Sequence, residues 1–200
     1  MRLFELFDNP LDYKLMNTRT NPSRGEKDYE YGFRVGNFWY KVYISLYPML
    51  NLIDDEDVHG KAIKDKLPPE FIERAEMYQT VMSVDFGQFE YGEKKRMFPG
   101  IGGTSRGPIP VGVGDERSGR EGTGNELQVF ATVAAIAQEM YNEQKRYIGA
   151  IEYGAKDDDP NRKRLYDTMM RKFGISGTRV EFDAPSGSKD IQNRIVIVLK

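Results

Sequence analysis

Tyr29, Tyr31, Phe33 and Val35 alternate with polar residues or glycine, and the alternation resumes after Gly36-Asn37 as Phe38, Tyr40, Val42, Ile44 and Leu46. A period of two sets successive side chains on opposite faces of a strand, and a Gly-Asn pair accepts the positive φ of a tight turn. The pattern therefore predicts a β-hairpin. Its other face carries Trp39, Tyr43 and Tyr47, which predicts at least partial cover on both sides. Thr80 to Glu90 alternates again, with Met82, Val84 and Phe86 on one face and Ser83 and Asp85 on the other. Three further strands are expected at Arg146–Tyr153, Arg179–Asp183 and Arg194–Leu199, the last two as an antiparallel hairpin joined by the polar loop Ala184–Asn193.

Three segments read as helices. Between Asn125 and Gln144, Leu127, Phe130, Ala134, Ala137 and Tyr141, flanked by Val129, Val133, Ile136 and Met140, make a wide apolar arc. Gln128, Thr132, Gln138, Glu139 and Asn142 form the remaining polar stripe. Such a helix packs on a sheet, here expected against the strand that follows it. A short helix over Pro69–Tyr78 places Phe71, Ile72, Ala75 and Tyr78 inward. The third helix is bounded by Asp159 as cap, Pro160 in the first turn, Arg171 and Lys172 at the carboxyl end and Gly174 as the exit.

Residues 48–66 read as a loop, acidic at Asp54-Asp-Glu-Asp57. That run lacks the glycine and terminal glutamate of a calcium loop, so it reads as a solvated turn. Residues 92–124 hold 10 of the 20 glycines, with Lys94, Lys95, Arg96, Arg106, Arg117 and Arg120. A structureless stretch of that length marks a functional loop or a surface excursion. The fold class that results is a mixed α/β (α+β) one: a largely antiparallel central sheet flanked by helices, in a single domain over residues 1–200.

Composition narrows the chemistry. A formal net charge of -2 and a pI near 5.6 argue against nucleic acid and anionic membrane surfaces. The absence of cysteine excludes disulfides, a thiolate metal site and a thiol nucleophile. The single histidine, His59, makes no metal centre by itself, and no metal is expected. The opening Met1–Asp8 segment is broken by Glu5 and is neither a leader nor a membrane span. With a mean hydropathy of -0.62, it points to a soluble cytoplasmic protein.

The order glycine turn, helix, strand, then a helix carrying Asn161-Arg-Lys-Arg-Leu-Tyr166 before Phe173-Gly174 resembles the second half of a GNAT-type N-acetyltransferase. The resemblance implies that acetyl-CoA is the co-substrate. Arg120, Gly122, Thr123, Gly124 and Asn125 would hold its pyrophosphate at a helix amino end, where free N–H groups favour an anion, and Asn161 would complete the coenzyme contacts. The acyl arm would lie between diverging strands at 80–90 and 147–153. By the same resemblance Tyr166 donates a proton to the departing thiolate, a modest step from a phenol of pKa about 10 to a thiol near 8.5. Tyr166 reads equally as a core tyrosine bonded to a backbone carbonyl. The base for the amine would come from the strand bearing Asp85 and Glu90, with Asp85 favoured by its place in mid-strand, or from water, and Asp85 reads equally as a surface residue. The family's turn is Arg/Gln-x-x-Gly-x-Gly/Ala, and Arg120-Glu-Gly122-Thr-Gly124 has its arginine one residue closer.

Arg2-Leu-Phe-Glu-Leu-Phe7, Thr123-Gly-Asn-Glu-Leu-Gln-Val-Phe-Ala-Thr-Val133 and Arg162-Lys-Arg-Leu-Tyr-Asp-Thr-Met169 are similar to segments of small GNAT-like proteins of tailed bacteriophages. That likeness implies a viral protein in the cytoplasm of a bacterial host or in the virion, with a host or viral protein as partner. Two rival readings stay open. One is a GNAT-shaped virion component or host-factor binder without catalysis, favoured if aromatic residues of the 29–47 hairpin are exposed as anchors. The other, single-strand nucleic-acid binding through the basic loop, is opposed by the acidity.

Overall fold

The computed structural model describes residues 9–36, 38–55, 62–89, 110–111, 126–155, 160–183 and 193–200. Eight strands form one sheet: β1 (Tyr13–Asn21), β2 (Glu26–Val35), β3 (Phe38–Pro48), β4 (Thr80–Phe89), β5 (Pro110–Val111), β6 (Ile148–Ala155), β7 (Gly177–Asp183) and β8 (Asn193–Leu199). Seven of them run in the order β1-β2-β3-β4-β6-β8-β7, and β5 pairs with β4 off this path. Among the described strands only β4 and β6 pair in parallel; the other pairs are antiparallel. The expected mixed, largely antiparallel sheet flanked by helices is what the chain forms. The tight β2–β3 connection and the β7–β8 hairpin are as the alternation predicts.

Alternation along the strands divides the core in two. Tyr31, Phe33, Val42, Ile44, Met82, Val84, Ile151, Tyr153, Ile195 and Ile197 face α3 (Glu126–Gln144) and α4 (Pro160–Lys172). Val81, Ala150, Val196, Val198 and Phe182 point the other way, onto α1 (Met49–Ile53) and α2 (Pro69–Glu76). Those two helices cover the β4–β8 side of their face. On the β2–β3 side of the same face the strands carry polar side chains instead. There Lys41 pairs with Glu30, and the Ser45 hydroxyl donates to Asp28 at 2.7 Å.

Helix α3 packs most closely over β2, β3 and β4 rather than on the strand that follows it. Its polar stripe is partly roofed by the amino-terminal segment. Thr132 is buried, accepts a bond from the Leu11 amide at 2.9 Å and donates to the Gln128 carbonyl at 2.8 Å. Tyr13 of β1 donates to Glu139 at 2.5 Å. At the outer end of the arc Leu127 is 45 % exposed.

Part of the segment expected as a loop at 48–66 is structured: α1 occupies Met49–Ile53 and a 3-10 turn spans Ile63–Lys66. Met49, Leu52 and Ile63 from it are fully buried. Tyr78, expected to face inward, is instead 84 % exposed. Helix α2 ends at Glu76, and the chain turns into β4 through Tyr78 at φ 57, with the Tyr78 amide on the Ala75 carbonyl at 3.0 Å. The left-handed conformation swings the ring away from the face that Phe71 and Ala75 share. Gly174 takes the same region, φ 65, to end α4 as its position predicts.

Candidate functional site

Pairing between β4 and β6 runs from Thr80↔Ile148 to Val84↔Tyr153 and makes no further pair, although β4 continues to Phe89 and β6 to Ala155. On its other edge β4 stays paired with β3 through Trp39↔Phe89. Because Gln88 and Phe89 pair with both β3 and β5, the two-residue β5 lies on the β6 side of β4, beyond the point of separation. The two parallel strands thus part after Val84 and Tyr153, at their carboxyl ends.

Tyr166 of α4 is wedged at that parting. Its ring stacks on Tyr153 of β6 with centroids 4.3 Å apart and an interplanar angle of 21°. It lies 6.4 Å from Phe86, on the same face of β4 as Val84, and Phe86 meets Phe130 of α3 edge-on at 5.7 Å. Stacked and edge-to-face pairs of this kind are worth about 0.5–1.5 kcal/mol each beyond the area that they bury. Tyr166 is 2 % exposed.

A polar clamp lies beyond the stack. Tyr153 donates to Asp167 Oδ1 at 3.1 Å, and Arg179 of β7 donates to the same oxygen at 2.5 Å and to Glu181 at 2.7 Å. Burial, outweighing the opposing charge of Arg179, pushes the Tyr153 phenol up and keeps it a donor. Arg179 Nη2 is buried without a partner among the described residues. The clamp fixes Tyr153 and, through the stack, the plane of Tyr166.

Asp85 does not join this group. It precedes Phe86 in β4 and so points to the opposite face of the sheet, where it is exposed and lies across from Tyr43. Its Oδ1 accepts the Phe86 amide at 2.8 Å. Tyr43 is pushed up by burial and by the negative charges of Glu30 and Asp85. Arg120, Gly122, Thr123, Gly124 and Asn125 lie outside the described residues. Asn161 sits in the first turn of α4, where only the backbone is described. Glu56, Asp57, His59 and most of 92–124 also lie outside them.

A second polar cluster, which the sequence reading does not single out, sits on the α1/α2 face. Glu152 of β6, 6 % exposed, accepts hydrogen bonds from the Tyr47 hydroxyl and from Arg194 Nε. Arg194 Nη1 donates to Asp55 Oδ2 at 2.9 Å, and the guanidinium lies over the Phe182 ring at 5.4 Å. Burial alone would lower the pKa of Arg194; Glu152, Tyr47 and Asp55 together outweigh it and raise the value. Tyr47 is pushed well above the phenol range, by burial first and by Glu152 second. The available signal was a single carboxylate in an otherwise apolar strand, Ile148-Gly-Ala-Ile-Glu-Tyr153, since a charge buried in a sheet requires a partner.

Of the aromatic residues on the 29–47 hairpin, Tyr29, Tyr31 and Phe33 are buried, and Trp39, Tyr40, Tyr43 and Tyr47 are half-buried. Among the described residues the exposed aromatics are Tyr78 and Tyr147, outside the hairpin. Among the described residues no helix is long and apolar enough to cross a membrane, and no three His, Cys, Asp or Glu side chains are grouped to hold a metal ion. Comparison with protein-family models, with curated proteins and with solved structures finds no match.

Proposed function

We propose that the chain is a GNAT-type N-acyltransferase, moving an acetyl group from acetyl-CoA to an amine. The observation that carries the reading is Tyr166 wedged between Phe86 and Tyr153, where the one parallel strand pair stops pairing. Between Val84, the last residue of β4 paired with β6, and Gln88, where β5 takes over, the strand edge offers N–H and C=O groups to an extended amide-bearing arm, as a sheet edge does to a peptide. The thioester enters between β4 and β6, and the Tyr166 hydroxyl gives its proton to the thiolate that leaves. With Tyr166 only 2 % exposed, the acyl arm has to part the Phe86 and Tyr153 rings to reach it. Asp85, on the other face, has no path to the same reacting centre in this arrangement, so water accepts the proton of the amine. Arg120, Gly122, Thr123, Gly124, Asn125 and Asn161 remain the proposed coenzyme contacts on the sequence pattern alone.

The segments that resemble those of small bacteriophage proteins support a viral protein acting in the bacterial cytoplasm or carried in the virion, with a host or viral protein as the acceptor. The second reading, a protein of this shape without catalysis, is favoured by the burial of Tyr166 in an aromatic stack. Release of free thiol from acetyl-CoA in the presence of a lysine-containing peptide separates the two. Turnover that falls about 100-fold in Tyr166→Phe, with acetyl-CoA binding retained, is expected for a general acid. Full turnover in Tyr166→Phe removes the role assigned to the hydroxyl, and absence of turnover in the unmodified chain favours the second reading.

A further inference from the structure

A cleft of about 610 Å³ opens on the α1/α2 face, lined by Ser23, Arg24, Glu26, Tyr47, Asn51, Asp54, Asp55 and Arg194. It is a separate site from the β4/β6 parting, because Tyr166 and its neighbours lie on the other face of the sheet. Its volume falls in the range of about 300–1,000 Å³ usual for small-molecule sites. Its wall, unlike that of most such sites, is polar.

The charges are unequal and unequally engaged. Three carboxylates, Glu26, Asp54 and Asp55, face two guanidiniums, Arg24 and Arg194. Arg194 is already held by Glu152, Asp55 and Tyr47. Glu152 adds a further negative charge behind it. Arg24 Nη1 stands 3.9 Å from Glu26 on the exposed rim. Ser23 donates to Asn21, and Asn51 donates to the Arg24 carbonyl at 3.3 Å. The Asp54 carboxylate has no partner among the described residues. The cleft is therefore net negative, with its one deep cation consumed by a fixed network, and that network holds Asp55 in place.

Among the described residues no three acidic side chains are grouped to hold a bare divalent ion. Carboxylates that are not grouped for a metal still suit an ammonium, a compact charge with three N–H donors. We propose that this cleft binds an organic cation carrying an alkylammonium group, its ammonium at Asp54 and Glu26 and its methylene stem along Tyr47. A free polyamine and the lysine side chain of a peptide share that chemistry. The inference does not rest on the transfer reading.

The test is calorimetric titration of the full chain with cadaverine, and separately with Nα-acetyl-lysine amide. Saturable binding is expected that weakens with added salt and weakens about tenfold in Asp54→Asn/Glu26→Gln. Tyr166→Phe should bind as the unmodified chain does, whether or not acetyl-CoA binds. Tighter binding of the diamine assigns a free polyamine, and tighter binding of the lysine amide assigns a peptide. Both substituted positions are at the rim, and an unchanged melting temperature of the double variant shows that it is folded. Absence of saturable binding at millimolar cation overturns the proposal, as does equal affinity in the folded double variant. Inorganic phosphate binding there in place of the cation also overturns it.

Discussion

Glu152 shows how one residue sets requirements on several others. A carboxylate that is 6 % exposed is tolerated only because Tyr47 and Arg194 occupy its oxygens. Removing it leaves Arg194, whose side chain is 13 % exposed, with only the half-exposed Asp55 to offset its charge, and Glu152→Ala is expected to cost about 3 kcal/mol. Tyr47→Phe removes the hydrogen bond to Glu152 and the long one from Arg194 at 3.5 Å and keeps the ion pair, at a cost of about 1–2 kcal/mol. Denaturant unfolding of the two variants checks the order; a larger loss in Tyr47→Phe would show that the ion pair is not the main element. The tyrosines also impose a pH dependence. Burial and the bond to Glu139 push Tyr13 up to about 12, from the usual 10.0, and Tyr47 is raised by burial and Glu152. Unfolding returns each to its ordinary value, so above about pH 10 the unfolded chain loses protons that the folded chain keeps. Stability is thus expected to hold below about pH 10 and to fall as pH rises toward about 12. The fall should be shallower in Tyr47→Phe, and melting temperatures followed across that window give the comparison. An identical alkaline slope would remove Tyr47 from the account.

At the scale of elements, β7 and β8 approach so closely that a Cβ on Gly177 would stand 1.9 Å from the Val198 carbonyl oxygen. Backbone cannot yield as a flexible side chain can, so Gly177→Ala is expected to cost about 3 kcal/mol. At Gly149 the obstacles are the Gln79 and Met49 side-chain ends, at 2.4 and 2.5 Å, and Gly149→Ala should cost less. Thermal melts of the pair test the ranking, and the reverse order would contradict the β7–β8 register. Strands β2, β3, β4, β6, β7 and β8 were legible because apolar alternation or an apolar run survives along each. β1 was not: a register shift between Leu15 and Asn17 breaks its alternation, and most of its side chains are exposed. α1 was not because five residues are too few to show a helical period. Thr132 and Glu139 read as a solvent stripe, and their cover arrives from more than a hundred residues away. Tyr78 carries the helical spacing of α2 but lies past its end, where a left-handed turn reverses its direction.

At the scale of the whole molecule, the described sheet has one parallel pair, which parts at its carboxyl ends over a buried tyrosine. The tyrosine was named from the sequence through a resemblance, and its place at the parting comes from the packing of α4 against β6. The partner residues Tyr153, Asp167 and Arg179 were not named, since only the folded register brings β6, α4 and β7 together. Asp85, named as a base by its place in mid-strand, stands on the other face by the same alternation that makes β4 legible. If the parted strands receive an acyl-CoA arm, the Tyr166 stack has to open on binding. Calorimetric titration of the full chain with acetyl-CoA tests this most directly. Micromolar binding, largely retained in Tyr166→Phe, is the expected result; no binding at millimolar coenzyme would contradict the transferase reading.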